Sequence, residues 1–538
     1  MAEQGKFKRK LNLLDLTFLG CGSIIGSGWL YGAMNAAGLA GPSAWLSWII
    51  GAIMFTLIGL VYAELSASLP RSGGFLRYPD YSHGTMVGYL VGFASLLGYT
   101  SVIGVEVEAV RQYATPYWPA LTSSTSDAPT LLGFLVQAAL IVLFFLINYW
   151  SVNVFGKTNT IWTVFKFVVP ILIIIFLFLS MHPGNFSAGA AADPGGIHGV
   201  FKAVVAAGIA FAFLGFRQAV DFAGEAKNPQ RNVPLAIILS IVLCLVLYLL
   251  LQIAFIGAVP PDLLANGGWT GIVASPDWTS PWAKLASILG LFWLQTIVFI
   301  DAAASPAGTG NIFLSGTGRV MFAWAKNGYF YKIFAKVDKR TGVPRGALWL
   351  ALIMGIAWTL PAQFQTWSGL IGAVTSAFVL TYMIGPVSVA SFRKTDPDLE
   401  RPFKLKGISW ISPLAFIAAS LIAYWSGWGT MKLLIPILVG SLVLYFAFAD
   451  KDESIGSRIK EDFKATIWLF VFYAFMLVMC YIGSFGPTAK DGSHPHELIG
   501  GPWDSIVLAI GSLILYYWGV ASALKKSRIS EDEEELAD

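Results

Sequence analysis

The chain has 538 residues, of which 56% are hydrophobic and only 12% charged, and its mean hydropathy is +0.67. Soluble domains carry about twice that charged fraction, so a water-soluble globular fold is excluded and a polytopic membrane protein indicated. The formal charge of +4 is too small to point to nucleic acid, and three cysteines scattered through apolar segments, Cys21, Cys244 and Cys480, form neither a disulfide framework nor a metal motif.

The opening MAEQGKFKRK lacks the small-residue cleavage pattern of a signal peptide, so the first apolar segment is expected to be retained behind a cytoplasmic tail at 1–12. Spanning helices are predicted at 13–40, 44–69, 86–113, 130–150 and 159–181, then at 198–224, 233–258, 283–318, 346–361 and 366–392. Four more follow at 409–427, 430–449, 464–486 and 503–524, before an acidic tail at 525–538. The reading is an all-α integral membrane protein with fourteen spans. With both termini inside, the cytoplasmic segments hold most of the 35 Lys and Arg, in basic loops around 319–345, 393–406 and 451–464, and the outer loops hold only Lys284, Lys432 and Lys490. This asymmetry is what the positive-inside rule demands.

Four basic residues fall in or at the ends of predicted helices. Arg111 and Lys202 lie where long side chains reach the interface. Lys166 and Arg217 lie deeper, where a charge costs roughly 2.5–3.5 kcal/mol on the insertion scale, and so mark candidate functional sites.

The first helix contains GCGSIIGSGWLYG, residues 20–32, whose glycines let the backbone open, although glycines also serve close helix packing. The sixth has a flexible point at 213–216, followed by Arg217 and Asp221. These interruptions sit at the same place in two successive five-helix blocks, 13–181 and 198–392. Inverted repeats with broken first helices describe a class of secondary transporters. Opening a helix frees amides that attract a carboxylate and carbonyls that attract an ammonium, which together suit a zwitterionic amino acid.

Four separated motifs occur in order: GSIIGSG in helix one, YAELSASLPRSGG at 62–74, FAFLGF with AGEAKNPQRNVPLAI at 211–238, and GRVMFAWAKNG at 318–328. Together they resemble the amino acid–polyamine–organocation superfamily of permeases. RYPDYSHGTMVGYL, EVEAVRQY, NYWSV, YWSGW and YIGSFG are similar to its bacterial aspartate–proton symporter branch. The resemblance implies a leucine-transporter-like core of two inverted five-helix repeats, with four accessory helices at 409–524. It implies that amides at Gly26, Ser27 and Gly28 hold the substrate carboxylate, that carbonyls of Ile24, Phe211 and Leu214 hold the amino group, and that Phe211 belongs to a gating ring. The family's usual IF pair is Trp29-Leu30 here, which reshapes the cavity.

Lys166, in TVFKFVVP, matches a lysine that in proton-coupled relatives stands where sodium-coupled members bind sodium. Protons are therefore the expected coupling ion, sodium is not expected, and no cofactor is implied. The rival reading is a lysine that snorkels to the cytoplasm. Most family members carry a glutamate where this chain has Arg217, which removes any glutamate-based coupling at that position. A guanidinium suits the side-chain carboxylate of aspartate or glutamate. It equally suits Asp221, one turn on, as an internal pair.

Glu64 ends helix two as a gate contact or as the partner of Arg71. Glu108 and Arg111 are spaced to pair, leaving Glu106 for a vestibule or proton path. Helix eight carries a stripe of Asp301, Ser305 and Thr309, from which Ser305 or Thr309 is expected to reach Lys166, while Asp301 points toward an outer water pocket or the interior. The GTG segments lack a preceding strand and a Walker lysine, and His494 with His496 is too little for a metal site. A membrane enzyme lacks its clustered groups here. The function expected is proton-coupled import of L-aspartate or L-glutamate by alternating access. A neutral amino acid symporter, an exchanger and a transporter-like sensor or scaffold are the alternatives. The accessory helices leave a homodimer, lipid binding and scaffolding open.

Overall fold

Asn12 opens the first helix with a reciprocal cap. Its side chain accepts from the Asp15 amide at 3.0 Å, and the Asp15 carboxylate accepts from the Asn12 amide at 2.8 Å, satisfying two of the donors that a helix start leaves free. The computed structural model describes residues 10–71, 73–124, 128–150, 152–187, 194–265, 267–338, 343–360, 367–448, 453–489 and 495–529, with the backbone alone at 152–161, 368, 448 and 453–458. Lys6, Lys8, Arg9, Ser72, Lys490, His494 and the acidic tail from 530 onward lie outside the described residues, as does the Lys157 side chain.

In chain order the helices are α1 Leu13–Ile24, α2 Gly28–Ala40, α3 Ala44–Ser68, α4 Gly74–His83, α5 Thr85–Ala114, α6 Leu131–Trp150, α7 Val152–Phe178 and α8 Gly196–Ala206. Then come α9 Ile209–Phe213, α10 Arg217–Asp221, α11 Pro229–Ala258, α12 Pro261–Leu264, α13 Gly268–Ala274, α14 Pro281–Ile288, α15 Phe292–Lys326 and α16 Arg345–Ala357. The last are α17 Trp367–Tyr382, α18 Ile384–Thr395, α19 Ile408–Trp425, α20 Gly427–Gly440, α21 Leu442–Phe448, α22 Glu453–Ile482 and α23 Trp503–Ala521. Among the described residues the only β pairings are isolated bridges. Among the described residues, ten helical stretches are long and apolar enough to cross a bilayer, or eleven when the bent pair at 196–221 is included; Leu13–Ile24, Trp162–Phe178 and Arg345–Ala357 are apolar but shorter. The chain is an all-helical, multi-pass membrane protein.

α5 and α15 lie side by side at the centre, and α1 packs on α7, α11, α15 and α10. Both predicted interruptions are present. Between α1 and α2 the backbone leaves the helix at Ile25, with φ −81° and ψ 81°. In the second block the structure moves the main bend. The sequence marks 213–216, where a tight 3-10 turn at Leu214–Phe216 separates α9 from α10. The 47° bend itself lies earlier, between α8 and α9, at Gly208 with φ +84°. Only a residue without Cβ adopts that conformation cheaply, and the Trp367 ring fills the space beside it.

The two interruptions touch. A Cβ on Gly215 would lie 2.5 Å from the Ile24 amide nitrogen and 2.7 Å from Ser23 Cβ, so glycine is what lets the turn sit on the end of α1.

The C-terminal helices are tied to the core at its α4 end. Arg528 donates to Asp462 at 2.6 Å, and Asp462 also accepts the Thr85 amide at 2.9 Å. The segment after α23 runs back along α4, with the Leu524 amide on the Ser82 carbonyl at 2.9 Å and the Arg528 amide on Tyr81 at 3.1 Å.

Candidate substrate site

α1 ends on carbonyls with no intrahelical donor, and α2 begins on amides with no intrahelical acceptor, so opposite partial charges face one small volume. The chain's own groups already occupy much of it. The Ser27 amide donates to Glu106 Oε2 at 2.9 Å, and Ser27 Oγ accepts from Trp367 Nε1 at 2.8 Å. The Ile24 carbonyl accepts from Tyr248 at 2.8 Å and the Leu214 carbonyl from Tyr382 at 2.8 Å, while the Phe211 carbonyl takes the amide that caps α9. The Ile24 carbonyl also accepts the Gly26 amide at 3.0 Å, and the Leu214 carbonyl the Arg217 amide, so both lone pairs of each are engaged and a substrate ammonium would have to share or displace a donor there.

Glycine at 26 makes room. A Cβ there would lie 2.6 Å from Glu106 Oε1 and 2.9 Å from Thr309 Oγ1, so any side chain would displace the carboxylate from the Ser27 amide. Gly28 presses on Ala212 and Phe211 across the gap. An aromatic cover lies over this point: Trp367 is 4.6 Å from the Tyr31 ring and 6.1 Å from Phe211.

Behind α1 stands Lys166. It is buried, donates to the Gly22 carbonyl, and donates to Thr309 Oγ1 at 2.6 Å. Thr309 in turn reaches the Gly22 carbonyl at 2.9 Å, and Ser305 bonds the Ile25 carbonyl at 3.2 Å. One ammonium and two hydroxyls thus cap the last turn of α1, and the Lys166 charge attracts Glu106.

Arg217 lies beside α4, and its guanidinium is taken up by partners other than Ser27. Its Nε donates to Asp221 Oδ2 at 2.8 Å, Nη1 to Thr381 at 3.0 Å and Nη2 to Ser95 at 2.9 Å. The Phe75 ring covers the guanidinium at 4.3 Å. Tyr99 donates to the same Asp221 oxygen, and the Asp221 carbonyl accepts the Gly73 amide at 3.1 Å. The ring and turn that precede and open α4 therefore close directly over the Arg217–Asp221 pair. Ser95 and Tyr99 stand eleven and seven residues before Glu106 on α5, which puts the guanidinium about 10–16 Å from the Ser27 amide along that helix.

Two outlying expectations change. Glu64 is held by Arg393 in a two-point pair at 2.8 Å, with the Leu405 amide at 2.8 Å and Arg401 at 3.7 Å. Those arginines are more than three hundred residues away, and no local pattern points to them. Arg111 does not reach the interface. It is fully buried and pairs with Glu108, to which Gln137 also donates. Lys202 is exposed, as a snorkelling side chain should be, and the exposed His496 ring stacks on Tyr481. Trp367, Tyr248 and Tyr382, which hold the breaks in shape, were not singled out by the sequence. Each lies in an apolar helix where its hydroxyl or indole N–H looks like ordinary core.

Broken helices facing each other around a buried polar cluster are the arrangement from which secondary membrane transporters are built. The family model for amino acid permeases matches residues 11–441. Bacillus subtilis (strain 168) has a protein named aspartate-proton symporter that is 45% identical over 533 residues, covering 99% of this chain and 100% of the relative. Its glutamate/serine transporter AimA is 38% identical over 533 residues, 98% of this chain and 96% of the relative. Its branched-chain amino acid permease BcaP is 28% identical over 465 residues, 84% and 95%. The chain belongs to the amino acid permease family and is an amino acid transporter, not an enzyme.

Proposed function

We propose that the chain imports L-aspartate, and L-glutamate beside it, together with protons, across a bacterial inner membrane. In this reading both termini are cytoplasmic and fourteen spans include two inverted five-helix blocks, 13–181 and 198–392. The α4 end of the bundle is the cytoplasmic end, and access alternates about the Ser27 amide. Every residue of the site comes from one chain.

One observation carries the reading: the amide that opens α2, where a substrate carboxylate is expected, holds the chain's own Glu106 carboxylate beside the Lys166 ammonium. A carboxylate that stands in for the substrate must leave when substrate arrives. Protonation is the step that lets it leave without stranding a buried charge. Substrate and proton binding are coupled in that exchange, with Lys166 adjusting the local charge as access alternates. The relative named aspartate-proton symporter supports both halves of the assignment.

Arg217 supplies the acidic preference. A side-chain carboxylate takes the place of Asp221 on the guanidinium, a bidentate partner for a bidentate donor. The second reading is a neutral amino acid symporter, favoured by the Arg217–Asp221 pair itself and by a relative named for both glutamate and serine.

Competition decides between them. With labelled L-aspartate uptake into proteoliposomes, unlabelled aspartate and glutamate should compete at least tenfold better than asparagine and serine. Equal competition by the neutral pair would give Arg217 back to Asp221.

A further inference from the structure

Asp301 lies on α15 two turns before Thr309 and one before Ser305. It is completely buried, and neither carboxylate oxygen has a hydrogen-bond partner. The same is true of Glu106 Oε1. Pro306, one turn further on, has no N–H to give the Ala302 carbonyl, so this turn of α15 presents acceptors. A bare buried carboxylate without donors is untenable, and it carries either a proton or an accompanying cation.

Among the described residues, the surroundings offer one unpaired cation for two carboxylates. Lys166 on α7 acts on both Asp301 and Glu106. From α5 come Glu106, Tyr113 and the Glu108–Arg111 pair, whose charges cancel, and from α2 comes Tyr31. Lys284 on α14 is turned outward to Asp277 at 3.7 Å. Phe299 and Tyr113 pack edge to face at 6.2 Å beside Asp301, with the exposed Tyr117 ring against Phe299 beyond them. The residues at i, i+4 and i+8 then step inward from Asp301 through Ser305, on the Ile25 carbonyl, to Thr309 and Lys166.

With an acidic amino acid bound, Glu106, Asp301 and the substrate's net charge oppose Lys166, while Arg217 and Asp221 cancel. Two protons are needed to bring the loaded, occluded site to neutrality. We propose that Asp301 is a second proton-carrying group, loaded from the outer face, so that each acidic amino acid enters with two protons and one net positive charge. One proton neutralises Glu106 and the other sits on Asp301. Both leave with the substrate on the cytoplasmic side, and the empty carrier returns one negative charge outward. This rests on the proton-coupled acidic reading above.

The test is the charge moved per substrate in proteoliposomes, with potassium and valinomycin setting the membrane potential at zero pH gradient. For the wild type, a potential that would concentrate a monovalent cation tenfold should raise steady-state aspartate accumulation tenfold. Asp301→Asn should lose that response while keeping accumulation driven by a pH gradient and counterflow exchange. Asp301→Glu should restore it. Wild-type uptake driven by a pH gradient but indifferent to potential would overturn the proposal, whatever the variants do. An Asp301→Asn protein that keeps the potential response and only weakens all amino acids alike would also overturn it, and would make Asp301 a contact for the amino group. Absence of any gradient-driven aspartate uptake would instead refute the proton-coupled reading on which it stands.

Discussion

Exchanging the pair Arg217 and Asp221 for neutral groups separates the two roles proposed for the arginine. Asp221→Asn alone leaves a guanidinium that is 1% exposed beside a neutral amide. Stranding one member of a buried pair costs about 3–5 kcal/mol. The Thr381 and Ser95 hydroxyls, at 3.0 and 2.9 Å, remain, so the lower end of that range is expected. The double variant Arg217→Gln, Asp221→Asn strands no charge, and its cost should fall to about 1 kcal/mol, since replacing both partners is nearly neutral. Selectivity behaves differently. A charge-assisted bond from Arg217 to the substrate side chain is worth about 1.5–3 kcal/mol, which is roughly 10- to 150-fold between aspartate and asparagine. Thermal unfolding in detergent gives the first quantity, and half-inhibition of counterflow by each amino acid gives the second. The double variant should be stable yet discriminate less than about threefold. A stable double variant with the wild-type preference for aspartate would refute the partner exchange and leave a structural pair.

Lys166→Ala removes the cation that caps α1 and should abolish the dependence of accumulation on the pH gradient while sparing part of the exchange; an unchanged dependence sinks its role. Glu106→Gln keeps an oxygen for the Ser27 amide but cannot titrate, so exchange should persist while gradient-driven accumulation falls about tenfold or more, the equivalent of 1.4 kcal/mol; equal loss of both would mean that Glu106 is only structural. Asp80 lies on α4, outside the spans, where burial pushes its carboxyl up to about 6 against the donated hydrogen bond from Tyr329. A raised carboxyl contributes stability that is complete below its unfolded value of about 3.9 and is lost as pH rises through about 6, here about 2 kcal/mol after allowing for its partial exposure. Wild type should therefore lose thermal stability between pH 5 and 7 by more than Asp80→Asn does, and identical losses would contradict the assignment.

What the sequence made legible was whatever its local chemistry announces. Glycines around Ser27 mark the first break, and the four-residue spacing on α15 brings Thr309 to Lys166. Glu108 and Arg111 pair as their spacing implies. The charged residues buried in apolar helices stand out because lipid tolerates so few of them. What stayed hidden depends on contacts between distant segments. Glu106 and Ser27 lie 79 residues apart, and only the packing of α5 on the break makes the carboxylate a surrogate for substrate. The bend at Gly208 was invisible because the Trp367 ring that fills the space beside it comes from α17. The accessory helices read as a separate set, yet Arg528 and Asp462 bind them to the end of α4 and the start of α5.

The measurement that bears most directly on the whole account is uptake of labelled L-aspartate into sodium-free proteoliposomes, with and without an imposed inward proton gradient. Accumulation above equilibrium only when the gradient is present is the predicted result. Uptake that merely equilibrates, or accumulation that appears only once sodium is added, would contradict it.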